Sequence, residues 1–193
     1  MTVATENTAL LTDVTAQAQA LHEEDAAQPT RVCFVCTGNT CRSPMAEAVA
    51  NALAAEEAER MAGALPEGMR DCIIPRIEVC SAGLYPIEGD PIASNAVAAL
   101  EEAGVRAIPS RDYHNHLATA LTEQTVNASD LLVGMSGSHV MELFMRYPQA
   151  AQKIVCMPQA ISDPFGGDLA RYRACLAEIT EGVRALLFGE TGA

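Results

Sequence analysis

Apolar positions along the chain fall into short runs separated by longer stretches with helical periodicity. Val32-Cys33-Phe34-Val35 is apolar throughout, the pattern of a strand buried on both faces. Comparable runs predict strands over residues 73–80, 130–135 and 153–157. Helices are expected over residues 45–61, 91–103, 136–147 and 169–188. Pro44 suits a first helical turn, Gly104 stops the second helix, and Pro148 ends the third. Residues 122–128 predict a helical turn or two and residues 105–108 a short extended piece. Loops are expected over residues 63–71 and 161–167, where Gly and Pro accumulate. Strand–helix alternation of this kind argues an α/β fold, a parallel sheet with helices on both faces. Ligands of such sheets sit at the carboxyl ends of the strands. Cys36 closes the first run and is followed at once by Thr37-Gly38-Asn39-Thr40, a turn.

Residues 1–30 break the pattern. They are rich in Ala, Thr, Glu and Gln, with Leu10, Leu11, Val14 and Leu21 at loosely helical spacing. We read them as an acidic extension with no activity of its own, and residues 31–190 as the working domain. Composition then narrows the function. The chain has 193 residues, 49% of them apolar but only 4% aromatic, so its core must rest on aliphatic side chains. A formal net charge of −13 opposes DNA, RNA and anionic membranes, so any site for an anion must be assembled locally from a few donors. Seven cysteines in a chain of this length do not read as a secreted disulfide framework. The first residues lack a basic segment followed by an apolar one, and no run approaches the ~18 apolar residues of a membrane span. A cytoplasmic location is expected.

The segment Cys36-Thr37-Gly38-Asn39-Thr40-Cys41-Arg42-Ser43 places a thiol and a guanidinium at the two ends of a strand-to-helix turn. A turn carrying Gly38 and Asn39 can curl so that successive backbone N–H groups face inward as an anion nest. The helix that follows adds the positive end of its dipole. Arg42 can grip two phosphate oxygens in a planar fork, which Lys cannot do. The same donors favour a thiolate, and Ser43 can donate to its sulfur. Such a loop binds a tetrahedral oxyanion and aims a nucleophile at its centre. For Cys33, Cys72, Cys80, Cys156 and Cys175 a plain core role is expected. Cys33-x-x-Cys36 also fits a redox or zinc pair on spacing alone. Zinc would need a second ligand pair, which His114 and His116 do not supply at convincing spacing, and a redox pair would normally open a helix. No metal and no cofactor are expected, because the nest and Arg42 can neutralise phosphate themselves.

At this point the sequence resembles the low-molecular-weight protein tyrosine phosphatase family. The likeness runs from Val32 through Glu47, then Ser81-Ala82-Gly83, Asp130 to Val133 with Met135, and Asp163-Pro164-Phe165-Gly166-Gly167, in the family's order. It implies a four-stranded parallel sheet in a flavodoxin-like three-layer architecture. It also implies a cysteine-dependent protein phosphatase acting on phosphorylated protein side chains. Cys36 would attack phosphorus, Thr37 to Ser43 would cradle the phosphoryl group, and Asp163 would be the general acid. Asp-Pro also favours turns on its own, but the reaction requires an acid. Phe165 would wall the substrate. Cys41 matches a second loop thiol able to form a disulfide with Cys36 and shield it from irreversible oxidation.

Thr40 bears on the substrate. Tyrosine phosphatases of this family usually carry an aliphatic residue there, whereas the string around Thr40 is similar to that of bacterial protein arginine phosphatases. A small polar side chain suits a planar, polar phosphoguanidine, and an aliphatic one suits an aromatic ring. Phosphoarginine is therefore expected ahead of phosphotyrosine, with Thr40 and Phe165 setting specificity. Arsenate reductases coupled to thioredoxin need two further cysteines for a relay, and no cysteine lies between Cys80 and Cys156. A phosphocarrier would need neither Arg42 nor Asp163, and a mere phosphoprotein-binding module would not need Cys36.

Overall fold

A computed structural model describes residues 29–64, 66–67 and 77–189. The expected N-terminal extension lies outside the described residues up to residue 28, as do residues 68–76 of the expected loop and second strand. Four strands, β1 (Thr30–Cys36), β2 (Ile77–Gly83), β3 (Leu131–Gly134) and β4 (Ile154–Cys156), form one sheet in the order β2-β1-β3-β4. Every pairing is parallel. The helices are α1 (Arg42–Gly63), α2 (Ser94–Glu102), α3 (Glu123–Ala128), α4 (Gly137–Arg146) and α5 (Leu169–Phe188).

The side-chain alternation of β1 divides the interior into two cores. Val32, Phe34 and Cys36 pack with Met45 and Val49 of α1, Leu100 of α2 and Ile179 and Val183 of α5. Cys33 and Val35 face the other way, with Val126 of α3, Leu143 of α4 and Ile154. β1 is central and covered on both sides, which is why its sequence shows no polar alternation. The order reverses beside β1: β2 lies on one flank and β3 on the other. Such a switch point leaves a crevice at the strands' carboxyl ends, and the loop after Cys36 fills it.

Several element boundaries differ from expectation for local reasons. Helix α1 begins at Arg42, three residues before the apolar periodicity starts, because the loop itself feeds into the first turn. Residues 91–93 do not join α2. Pro91 bridges Leu117 and the Ala93 amide donates to the Thr40 carbonyl at 2.9 Å, which holds them extended. Residues 105–108 join no strand, although Ile108 bridges Arg111. Pro148–Lys153 forms a 3-10 helix that no periodicity announced. Cys33 and Cys175 are buried as expected, but Cys156 is exposed at the end of β4, and Cys72 lies outside the described residues.

His139, in the first turn of α4, is only 4% exposed. Its Nδ1 lies 2.7 Å from the Ser136 hydroxyl and its Nε2 3.0 Å from that of Thr37, so the neutral ring is satisfied at both nitrogens. Burial, helped by the nearby Arg42 charge, pulls its pKa down to about 4. An unfolded chain takes up this proton near 6.5. Between those values the unfolded state binds more protons, so His139 makes stability rise with pH from about 4 to about 6.5. Urea melts across that window should show the rise in the wild type and a flatter profile in His139→Asn. A wild-type profile no steeper than that of the variant would contradict this account.

Candidate functional site

The loop between β1 and α1 owes its shape to Asn39. This residue is fully buried and has φ +56°, in the left-handed region that Asn tolerates better than most residues. Its side chain is bonded on every side. Nδ2 donates to Ser43 Oγ at 3.0 Å and to Ser81 Oγ at 2.9 Å, while Oδ1 accepts the Thr119 amide at 2.9 Å. His116 Nε2 lies 2.9 Å from the Asn39 carbonyl. A buried polar network with every member paired defines one conformation rather than an ensemble. Ser81 passes the chain onward, donating to Glu47 Oε2 at 2.6 Å. Burial beneath the loop pushes the Glu47 carboxyl above the usual carboxylate range, opposed by the Ser81 bond and the nearby His116.

That conformation collects donors around one sulfur. Cys36 Sγ accepts the Asn39 amide at 3.3 Å and lies 3.0 Å from Ser43 Oγ. Because Ser43 Oγ accepts from Asn39, its own proton is left for the sulfur. The backbone N–H groups of Gly38, Thr40 and Cys41 donate to no protein carbonyl among the described residues, so they remain available to an anion. The first turn of α1 carries no acidic side chain and no side-chain cap, leaving the positive end of its dipole open at the loop. Gly83, where β2 ends, permits the close approach: a Cβ there would meet the Thr37 carbonyl oxygen at 3.0 Å.

Cys36, Thr37, Gly38, Thr40, Cys41 and Arg42 form the floor of a cleft of about 340 Å³. Its walls are Tyr85, Ile87, Asp90, Asp163 and Phe165. Arg42 is 8% exposed and donates through one terminal nitrogen to Asp163 Oδ2 at 2.8 Å. The other Asp163 oxygen accepts the Phe165 amide at 3.2 Å, a turn that holds the carboxylate over the cleft. Phe165 itself is 75% exposed, an apolar wall at the mouth. Cys41 Sγ lies 3.1 Å from the Tyr172 hydroxyl of α5, and burial with this contact raises the tyrosine's pKa well above its ordinary value. The expected site residues therefore share one cleft, except for Asn39 and Ser43, which shape it from beneath.

Cys33 and Cys36 do not form a pair. An odd spacing on a strand sends them to opposite faces of the sheet, Cys33 to the α3–α4 core and Cys36 to the α1–α5 core. Among the described residues no group of three or more His, Cys, Asp or Glu could hold a metal ion. The sequence reading gave no role in the site to Glu47, Ser81, His116 and His139 beneath the loop, to Tyr172 beside Cys41, or to Tyr85, Ile87 and Asp90 in the walls. Glu47 sits on an otherwise Ala- and Met-rich buried face of α1, an anomaly that periodicity could have flagged. His116 and His139 reach the loop from 77 and 102 residues away, and no local pattern marks them.

The chain resembles known proteins over nearly all its described length. The profile of the family described as low molecular weight phosphotyrosine protein phosphatase matches residues 31–191. A protein-arginine-phosphatase of Geobacillus stearothermophilus is 30% identical over 158 residues, covering 78% of this chain and 89% of that protein. A probable low molecular weight protein-tyrosine-phosphatase of Ralstonia solanacearum is 29% identical, covering 80% and 91%. Among solved structures, the low molecular weight protein tyrosine phosphatase of T. tengcongensis superposes with a TM-score of 0.66 at 32% identity, covering 83% and 99%. The Geobacillus stearothermophilus arginine phosphatase gives 0.64 at 29%, covering 82% and 90%. With the cysteine loop, the Asp-Pro turn and the β2-β1-β3-β4 sheet all in place, the chain belongs to the low-molecular-weight phosphotyrosine protein phosphatase family, whose members are cysteine-dependent phosphatases.

Proposed function

We propose that this phosphatase removes the phosphoryl group from phosphoarginine side chains of proteins in preference to phosphotyrosine. The observation that carries the reading is Thr40. It lines the floor of the cleft that Asp163 overhangs, and its hydroxyl lies 3.6 Å from Cys41 Sγ. An aliphatic residue at this place would offer an aryl ring an apolar floor. A hydroxyl instead offers a hydrogen-bonding partner to a guanidino N–H. Relatives bearing the name protein-arginine-phosphatase from two organisms support the same choice.

The geometry supports the following mechanism. The phosphoryl oxygens take the loop amides and the Arg42 fork, displacing Asp163 from that guanidinium, and the freed carboxylate takes up a proton from solvent. Cys36 Sγ attacks phosphorus in line, forming an S–P bond as the bond to the leaving atom breaks. The electron pair passes to the leaving nitrogen, or to oxygen for a tyrosyl ester, and Asp163 supplies its proton. Water then attacks the phosphocysteine, Asp163 takes its proton, and inorganic phosphate leaves with Cys36 restored. Cys36 and Cys41 also serve as a protective pair. Loss of two electrons to peroxide joins them as a disulfide that thiols reverse, whereas Cys36 oxidised alone proceeds to sulfinic acid.

Cys36→Ser should abolish turnover, and Asp163→Asn should lower kcat by about 10²- to 10⁴-fold, read as phosphate release from phosphopeptides; an active serine variant would refute the phosphocysteine scheme. Wild-type protein should cleave a phosphoarginine peptide faster than its phosphotyrosine counterpart, and Thr40→Ile should reverse the order. Preference of the wild type for phosphotyrosine removes the arginine reading and leaves the phosphatase standing. Cys41→Ser should keep its activity but lose it irreversibly to peroxide at doses from which thiol treatment rescues the wild type. Equal recovery of the two proteins would dismiss the protective pair.

A further inference from the structure

The geometry points to Asp90 as the residue that selects a cationic leaving group, by pairing with the guanidinium of the substrate arginine. The inference rests on the phosphoarginine reading and extends it from the floor of the cleft to its wall.

The cleft has two carboxylates, Asp90 and Asp163. Asp163 is committed: it pairs with Arg42 before substrate binds and must deliver a proton during the reaction. Asp90 is half-buried, and among the described residues its carboxylate accepts no hydrogen bond and forms no ion pair. Its main chain, by contrast, is fixed on both sides. The Asp90 amide donates to the Ile87 carbonyl at 3.1 Å, and the Asp90 carbonyl accepts the Ala118 amide at 2.8 Å. The preceding residue, Gly89, takes φ +84° and donates to the Ala118 carbonyl at 2.9 Å, and Pro91, which follows, bridges Leu117. A charged group on so fixed a mount is held in place before the ligand arrives, so little ordering entropy opposes its use.

A tyrosyl phosphate would bring only an uncharged ring to this wall, leaving Asp90 partly desolvated beside it with nothing in return. Phosphoarginine brings a planar cation next to the phosphoryl group. As the P–N bond breaks, its electron pair passes to nitrogen and the Asp163 proton joins it, so arginine departs as a full guanidinium. Asp90 faces a positive charge before and after transfer. The surrounding wall suits a planar cation as well. Tyr85 is fixed by its hydroxyl on Glu142 at 2.6 Å and already carries a guanidinium, that of Arg146, 4.2 Å from its ring centroid. The exposed Phe165 ring stands at the same mouth.

The test compares Asp90→Asn with the wild type on matched phosphoarginine and phosphotyrosine peptides. Asn keeps the size and the main-chain bonds and removes only the charge. The variant should lose about tenfold or more in kcat/KM on phosphoarginine, change less than about twofold on phosphotyrosine, and unfold at the wild-type urea midpoint. Asp90→Glu should recover part of the loss. Added salt should depress phosphoarginine cleavage more in the wild type than in Asp90→Asn. An equal loss on both peptides, or no loss on either, overturns the role of Asp90 while the phosphoarginine preference stands. A wild type without that preference overturns both.

Discussion

The left-handed turn at Asn39, held by hydrogen bonds to Ser43, Ser81, Thr119 and His116, is the constraint on which the rest of the site depends. Without it the loop amides would have no reason to converge on the end of β1, and the Cys36 sulfur would be one more buried thiol. The turn costs conformational energy for a residue with a side chain. It persists because the Asn39 amide satisfies Ser43, Ser81 and the Thr119 amide at once. The same bonds orient the Ser43 proton toward sulfur. The strain, the network and the environment of the Cys36 sulfur are one arrangement.

Electrostatics of the whole chain and of the site run in opposite directions. A protein with net charge −13 gathers backbone amides, one helix terminus and a single buried arginine around one loop. Local placement outweighs the global charge because donors within a few ångströms act through little solvent, whereas distant surface carboxylates are screened over about 8–10 Å. The ion pair between Arg42 and Asp163 keeps both charges compensated. Asp90 lines the same cleft, and among the described residues its carboxylate has no such partner.

Much of this was legible in the chain itself. The all-apolar run at residues 32–35 marks a central strand, because only burial on both faces removes polar alternation. Helix α5 was readable because it is long and amphipathic, and the structure closes it with Asp168 as its N-cap and Gly189 at positive φ. The loop from Cys36 to Ser43 is local in sequence, so its chemistry could be named from residue types and spacing. Weak or short elements were less legible. Residues 91–93 carry no strong local preference, and pairing with Leu117 and Thr40 decides their form, while residues 105–108 make only the local bridge from Ile108 to Arg111.

Sequence by itself determined the kinds of chemistry available: a thiol, a guanidinium and a flexible turn between a strand and a helix, with an Asp-Pro turn far along the chain. Only the tertiary structure decided which groups meet. Asp163 lies 121 residues beyond Arg42, His139 lies 102 beyond Thr37, and Ser81 lies 42 beyond Asn39. The parallel crossovers bring them together, because every strand of such a sheet ends at the same edge and delivers its following loop there. Residue spacing encodes what a helix or a turn can bring together within a few positions. Contacts across a sheet edge depend on strand order, which no local pattern states.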